Sequence, residues 1–237
     1  MSAVLVNLSK KVQVVLDKRK VASIKAQVGF SIDLSGSMEP LFTSGAMQQI
    51  ISRVMGIAVT FDDDGSLDMW GFSNGTIPLP IATEESFSSY VSDNIISSHA
   101  RNIWGSTSFA PTLEDILFRY FGGPVTKVKG FLSKLMSLGS PEITSKDPVY
   151  LIMLTDGDAD DVVKTRDVLL ELMGNRIFIQ FICVGTASTF GFPHAMERQF
   201  DNIGCVDFAD ITKLTDEDMY DQLISDKVVS WYKGLQK

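Results

Sequence analysis

Positive charge is the scarcer kind in this chain: 21 Lys and Arg stand against 29 Asp and Glu, a formal net charge of −8 over 237 residues. Such a field repels phosphate backbones and anionic lipid, so neither nucleic acid nor a membrane surface is the expected partner. Cysteine is nearly missing. Cys183, inside an apolar run, and Cys205 are too few for a stapled secreted scaffold and lack metal-type spacing. Reduced thiols in a cytoplasmic protein are expected, with a single bridge as the alternative. Long hydrophobic runs are absent too. The longest purely apolar stretches, such as residues 149–154, fall far below the ~20 residues of a membrane span. The amino end has too short an apolar segment for a signal sequence, and Lys10, Lys11 and Lys18 follow it instead of preceding it. A soluble chain is expected.

What is present is a globular composition: 45% hydrophobic and 21% charged, with 18 Gly and 8 Pro. The length suits one large domain, because a single core grows to roughly 250 residues before chains divide. From residue 25 onward, strand-like and helix-like segments alternate, which points to an α/β sheet with helical crossovers. Ala26, Val28, Phe30 and Ile32 alternate as a strand does. Met47, Ile50, Ile51, Val54, Met55, Ile57, Ala58 and Phe61 recur at helical spacing. Residues 67–72 and 76–81 read as a hairpin through Ser73-Asn74-Gly75, with Pro78 and Pro80 placing the second strand at an edge. A helix is expected from a Thr83 cap to about 97, and another over 111–121. The segment 122–147 reads as an excursion with a short helix near 128–136. Beyond it, strands are expected at 149–154, 176–184 and 206–209, and helices at 162–173, 194–200 and 216–232. Leu8, Val12, Val15 and Leu16, behind Ser9 as a cap, make residues 1–24 an added helix ahead of a domain spanning 25–237.

Three polar clusters fall where strands end. Asp33, Ser35 and Ser37 follow the first strand, Asp156 follows the buried strand at 149–154, and Gly105-Ser106-Thr107 precede a helix between them. The carboxyl ends of parallel strands share one rim, so these distant residues can converge. Two carboxylates and three hydroxyls, with no His or Cys, describe a site for a hard cation such as Mg²⁺, which takes about six oxygens. In Asp33-Leu34-Ser35-Gly36-Ser37, alternate residues can face one ion while Gly36 lets the backbone turn.

These residues resemble the von Willebrand factor A (vWA) domains, whose metal-ion-dependent adhesion site reads Asp-x-Ser-x-Ser, then a Thr, then an Asp within Thr-Asp-Gly. Asp33, Ser35, Ser37, Thr107 and Asp156 fill all five positions in order, over a region of roughly 25–235. The joint match is specific, whereas Asp-x-Ser-x-Ser alone is common. The resemblance implies a Rossmann-like α/β fold, mostly parallel with one antiparallel edge strand and helices on both faces. It implies Mg²⁺ as cofactor, with Mn²⁺ or Ca²⁺ as alternatives. Ser35 and Ser37 would bind it directly, Thr107 directly or through water, and Asp33 and Asp156 largely through water. One position would stay open for an Asp or Glu carboxylate from a partner protein, and no catalysis is implied. The segments Asp33 to Met38, Asp62-Asp63-Asp64-Gly65-Ser66-Leu67-Asp68 and Val6-Asn7-Leu8-Ser9-Lys10 look like the bacterial branch associated with tellurium resistance and stress response. That branch implies a cytoplasmic adaptor or scaffold.

Other motifs have plainer readings. Asp62-Asp63-Asp64-Gly65 has its Gly too early for a calcium loop and reads as a solvated turn. Asp158, Asp160 and Asp161 suit the amino end of the helix that follows them. Gly71-Phe72-Ser73-Asn74-Gly75 matches the nucleophile elbow of serine hydrolases, the rival from another class, with His99 and His194 as the available bases. An elbow must run from strand into helix, but Thr76-Ile77-Pro78-Leu79-Pro80 is extended, so a hairpin turn is expected. A phosphatase would need a second carboxylate at Ser35, and a dinucleotide fold a Gly-rich first turn. With two histidines in the chain, a zinc site is not expected.

Overall fold

The computed structural model describes residues 1–99, 103–123, 147–185 and 190–236. The excursion expected over 122–147, with its helix at 128–136, lies almost wholly outside the described residues. The strands are β1 (Gln27–Asp33), β2 (Asp68–Phe72), β3 (Thr76–Pro78), β4 (Val149–Thr155), β5 (Ile177–Val184) and β6 (Ile203–Phe208). They form one sheet in the order β3-β2-β1-β4-β5-β6. Every pairing is parallel except β2 with β3. β4 is buried along its whole length, and β1 and β5 are buried except at one end. That burial on both faces is why β4 is a nearly continuous apolar run and why the non-apolar residues inside β1 and β5 are few and small or uncharged, such as Gly29, Ser31 and Gln180.

The principal helices are α1 (Ala3–Lys18), α2 (Ala46–Phe61), α3 (Ala110–Phe121), α4 (Val162–Leu172), α5 (Gly191–Gln199), α6 (Asp216–Leu223) and α7 (Asp226–Gly234). They divide between the two faces of the sheet. On one face Val28, Phe30, Ile32, Tyr150, Ile152, Leu154 and Phe178 pack with side chains of α1, α2, α6 and α7. On the other, Val149, Leu151, Met153, Ile179 and Phe181 pack with α3, α4 and α5. Successive strand residues enter opposite cores because side chains alternate across a sheet. The added amino-terminal helix is present, and its Leu5, Leu8, Val12, Val15 and Leu16 are all buried.

Several local expectations are corrected. Ser2, not Ser9, caps α1, accepting the Leu5 N–H at 3.3 Å, while Ser9 sits inside the helix and donates to the Val6 carbonyl. The helix expected over 83–97 is irregular: a 3-10 turn over Phe87–Ser89 runs into π-helical Val91–Ile96. Asp93 is held there by the Ser89 and Ser92 hydroxyls. β3 stops at Pro78, since prolines 78 and 80 cannot donate to a ladder. The final helix is two: Ser225 restarts it as α7, accepting the Val228 N–H at 3.4 Å. That break lies inside an otherwise helical period and is a capping signal.

Candidate metal centre

In the strand order, the chain leaves β1 toward β2 on one side and resumes at β4 on the other. The carboxyl ends of β1 and β4 therefore border the crevice where open α/β sheets place their sites. Register brings Ile32 opposite Leu154, so Asp33 and Thr155 emerge side by side. Asp33 is fully buried. One of its oxygens accepts the Ser35 backbone N–H at 2.8 Å, and the other accepts the Thr155 hydroxyl at 2.8 Å. These bonds fix the carboxylate and turn the chain so that Ser35 and Ser37 face the same way, their hydroxyl oxygens 3.3 Å apart. Ser37 then donates to Asp156 Oδ1 at 2.9 Å. Burial, aided by the charge of Asp156, pushes the Asp33 carboxyl up to about 6 against the pull of its hydrogen bonds. Among the described residues, no ion pair engages Asp33 or Asp156.

Thr107 arrives on a loop that is stitched to this rim from several sides. Ser35 forms a bridge with Gly105, and the Gly36 N–H donates to the Gly105 carbonyl at 3.2 Å. The Trp104 N–H donates to the Leu34 carbonyl at 2.6 Å. Trp104 holds a left-handed φ of 70°, unusual for a bulky residue and a form of strain found at functional sites, with its ring edge-on to Phe42. Gly105 leaves no room for a side chain: a Cβ would sit 2.6 Å from both Ser73 Oγ and Asn74 Oδ1. Thr107 is buried, with its backbone N–H donating to Asp160 at 3.0 Å and its carbonyl accepting the Asp160 N–H at 2.8 Å.

Of the three carboxylates expected at the amino end of the following helix, Asp161 is there, at the N-cap of α4 with its carboxylate accepting the Thr165 hydroxyl at 2.8 Å, but Asp158 and Asp160 serve other loops and Asp161 has a second role. Asp161 accepts the Phe109 and Ala110 N–H groups, each at 3.0 Å, at the start of α3. Asp158 accepts the Phe192 N–H at 2.8 Å at the start of α5. The run after Asp156 thus ties three loops of the rim together. These roles need contacts across more than thirty residues and carry no local signal.

Ser73, the elbow candidate, lies between antiparallel β2 and β3 and is buried. Its Oγ accepts the Gly105 N–H at 2.9 Å, so this hydroxyl is a strut between loops. His194 pairs instead with Asp207 at 2.9 Å. The solvated turn expected at Asp62–Asp64 is exposed or half-buried, with Asp63 bonded to Lys25.

A divalent cation fits the donors in kind. Asp33, Asp156 and the Ser35, Ser37 and Thr107 hydroxyls are all hard oxygens, the set Mg²⁺ prefers. Ser35 and Ser37 are in mutual contact and joined to Asp156.

Among known proteins, the chain is 28% identical over 227 residues to YcbR of Bacillus subtilis (strain 168), a match covering 93% of this chain and 84% of that protein. Its fold is similar to that of proximal thread matrix protein 1 from the mussel byssus, with TM-score 0.57 and 16% identity over 87% of this chain. The chain spans about half of that protein, 48% of its length. The N-terminal domain of TFIIH p34 is also similar in fold, with TM-score 0.54, 15% identity, and coverage of 85% of this chain and 97% of that one. No helix among the described residues is long and apolar enough to cross a membrane. The family described as the vWA found in the TerF C terminus matches residues 25–236, and by that match the chain belongs to the vWA-TerF-like family.

Proposed function

We propose that this chain is a divalent-cation-dependent protein-binding domain, an adaptor or scaffold. The observation that carries the reading is the meeting of Ser35, Ser37 and Asp156 at the carboxyl ends of β1 and β4, with Asp33 locked behind them. Membership of a vWA family supports a protein-interaction or adhesion role. Asp33, Ser35, Ser37, Thr107 and Asp156 would hold Mg²⁺, which when bound supplies a positive charge for an Asp or Glu carboxylate of a partner protein.

The chain's own contribution is preorganisation. Thr155 and the Ser35 amide hold Asp33 in one orientation, and the Asp33 turn aims the two serines. The Ser73–Gly105 strut and the Asp160–Thr107 pair keep the third loop against the rim. Nothing in this arrangement calls for bond making or breaking in a ligand, so the domain is read as a non-enzyme. The TerF-like match supports a place in tellurium resistance or stress response. The two cysteines, both free thiols here, support a cytoplasmic setting.

The test is a melting experiment in EDTA and in millimolar Mg²⁺. A ligand that binds only the folded state adds about 2.7 kcal/mol when its concentration is 100 times Kd. The wild-type chain should melt higher in Mg²⁺, and Asp33→Ala and Ser35→Ala should abolish the increment. A pulldown should retain a protein partner only with Mg²⁺ and only on wild type. Identical melting of wild type in EDTA and Mg²⁺ would sink the reading.

A further inference from the structure

The two cysteines, 22 residues apart in sequence, meet in the fold. β5 and β6 pair so that Cys183 lies opposite Asp207 and Phe181 opposite Cys205. The two sulfurs are therefore diagonal neighbours, 3.5 Å apart, and both thiols are free. Asp207 Oδ1 is 3.9 Å from Cys205 Sγ. One ligand atom from each of Cys183, Cys205 and Asp207 lies within 4.8 Å of the others. His194, on α5, reaches the same spot, its Nε2 2.9 Å from Asp207 Oδ2 and 3.9 Å from Cys205 Sγ. Glu197 steadies the strand by accepting the Cys205 N–H at 3.0 Å.

Zinc in tetrahedral coordination has Zn–S near 2.3 Å, which places two bound sulfurs about 3.8 Å apart. The two sulfurs need to move only a few tenths of an ångström to reach that spacing. A disulfide would require them to close to about 2.0 Å. Cys183 is buried, Cys205 half-buried and Asp207 exposed, on the edge strand of the sheet, so an ion has a way in from solvent. The donor set is two sulfurs and a carboxylate, softer than the all-oxygen rim at β1 and β4, and it selects a different metal.

We propose that Cys183, Cys205 and Asp207 form a second metal site that binds Zn²⁺, with His194 holding the outer oxygen of Asp207 as a positioning residue. Binding displaces two thiol protons to solvent and involves no change in oxidation state, since the thiolate is the ligand and the metal is redox-inert. The fourth coordination position belongs to water. The site ties β6 to the buried strand β5, and it stands independently of the Mg²⁺ reading.

The experiment is Co²⁺ and Zn²⁺ titration of the full chain, fully reduced and stripped of metal, in millimolar Mg²⁺ so that oxygen sites are occupied. One equivalent of Co²⁺ should produce a thiolate-to-cobalt charge-transfer band that one equivalent of Zn²⁺ removes. Cys205→Ser should abolish the band. His194→Gln should keep it but weaken affinity by roughly 10–100-fold, the effect of losing an outer-shell partner. Asp207→Asn, at an exposed position, serves as a second ligand variant if Cys205→Ser does not fold, and it too should weaken binding. A folded chain with two titratable thiols and no charge-transfer band would overturn the proposal, as would unchanged affinity in Cys205→Ser or Asp207→Asn. Failure here leaves the Mg²⁺-dependent melting of the rim unaffected, so the two readings fail separately.

Discussion

Asp62, at the carboxyl end of α2, is the clearest pH-sensitive side chain outside the rim. Burial, joined by the nearby charge of Asp64, pushes its carboxyl up to about 6. The folded state therefore holds a proton that the unfolded chain releases near pH ~3.9. The stability this group contributes is present below that point and is lost as pH rises through about 6. Asp62→Asn removes the penalty, so its melting temperature should exceed wild type at neutral pH and match it below about pH 4. An equal gain at both pH values would show that charge is not the cause. At this scale the sequence was a partial guide. The acidic turn at 62–64 was legible as a turn, yet nothing local showed that Asp62 would be half-buried while Asp63 reached Lys25.

Among the elements, α1 and α2 pack closely because Gly56 has no side chain. A Cβ there would lie 2.6 Å from the Tyr220 hydroxyl and 2.8 Å from Leu8 Cβ. Helix propensity alone favours Gly56→Ala by about 0.8–1 kcal/mol, while overpacking a filled core costs about 1–3 kcal/mol. The second effect should win, and urea denaturation should show a net loss of up to about 2 kcal/mol. The Tyr220 hydroxyl also donates to the Arg53 carbonyl at 3.0 Å, so it is not free to move aside. Most elements were legible from period and punctuation: the β1 alternation, the α2 stripe, the apolar β4 run and the hairpin with its prolines at the edge. The misreadings share one cause. Caps at Ser2 and Ser225 and the irregular turns after Thr83 are set by hydrogen bonds to side chains and backbone within a few residues, and hydrophobic period does not report those.

For the molecule as a whole, α1 is part of the core. Leu5, Leu8, Val12, Val15 and Leu16 are buried against the α2 face, and Arg19 pairs with Asp221 and Asp226 beyond it. Each such side chain contributes about 1.5–3 kcal/mol of burial, against a total stability of only about 5–15 kcal/mol for a typical domain. Removing residues 1–24 should therefore lower the urea midpoint sharply or leave a chain that does not fold cooperatively. A midpoint equal to that of the intact chain would show that the helix is merely appended. The α/β alternation, the buried strands and the oxygen-bearing residues at strand ends can be read along the chain, because period and residue chemistry are local properties. Which of those residues meet is a matter of long-range packing. Strand order set Asp33 beside Thr155, and register set Cys183 beside Cys205. Both are fixed by how distant segments share hydrogen bonds and buried area, which no window of the chain contains.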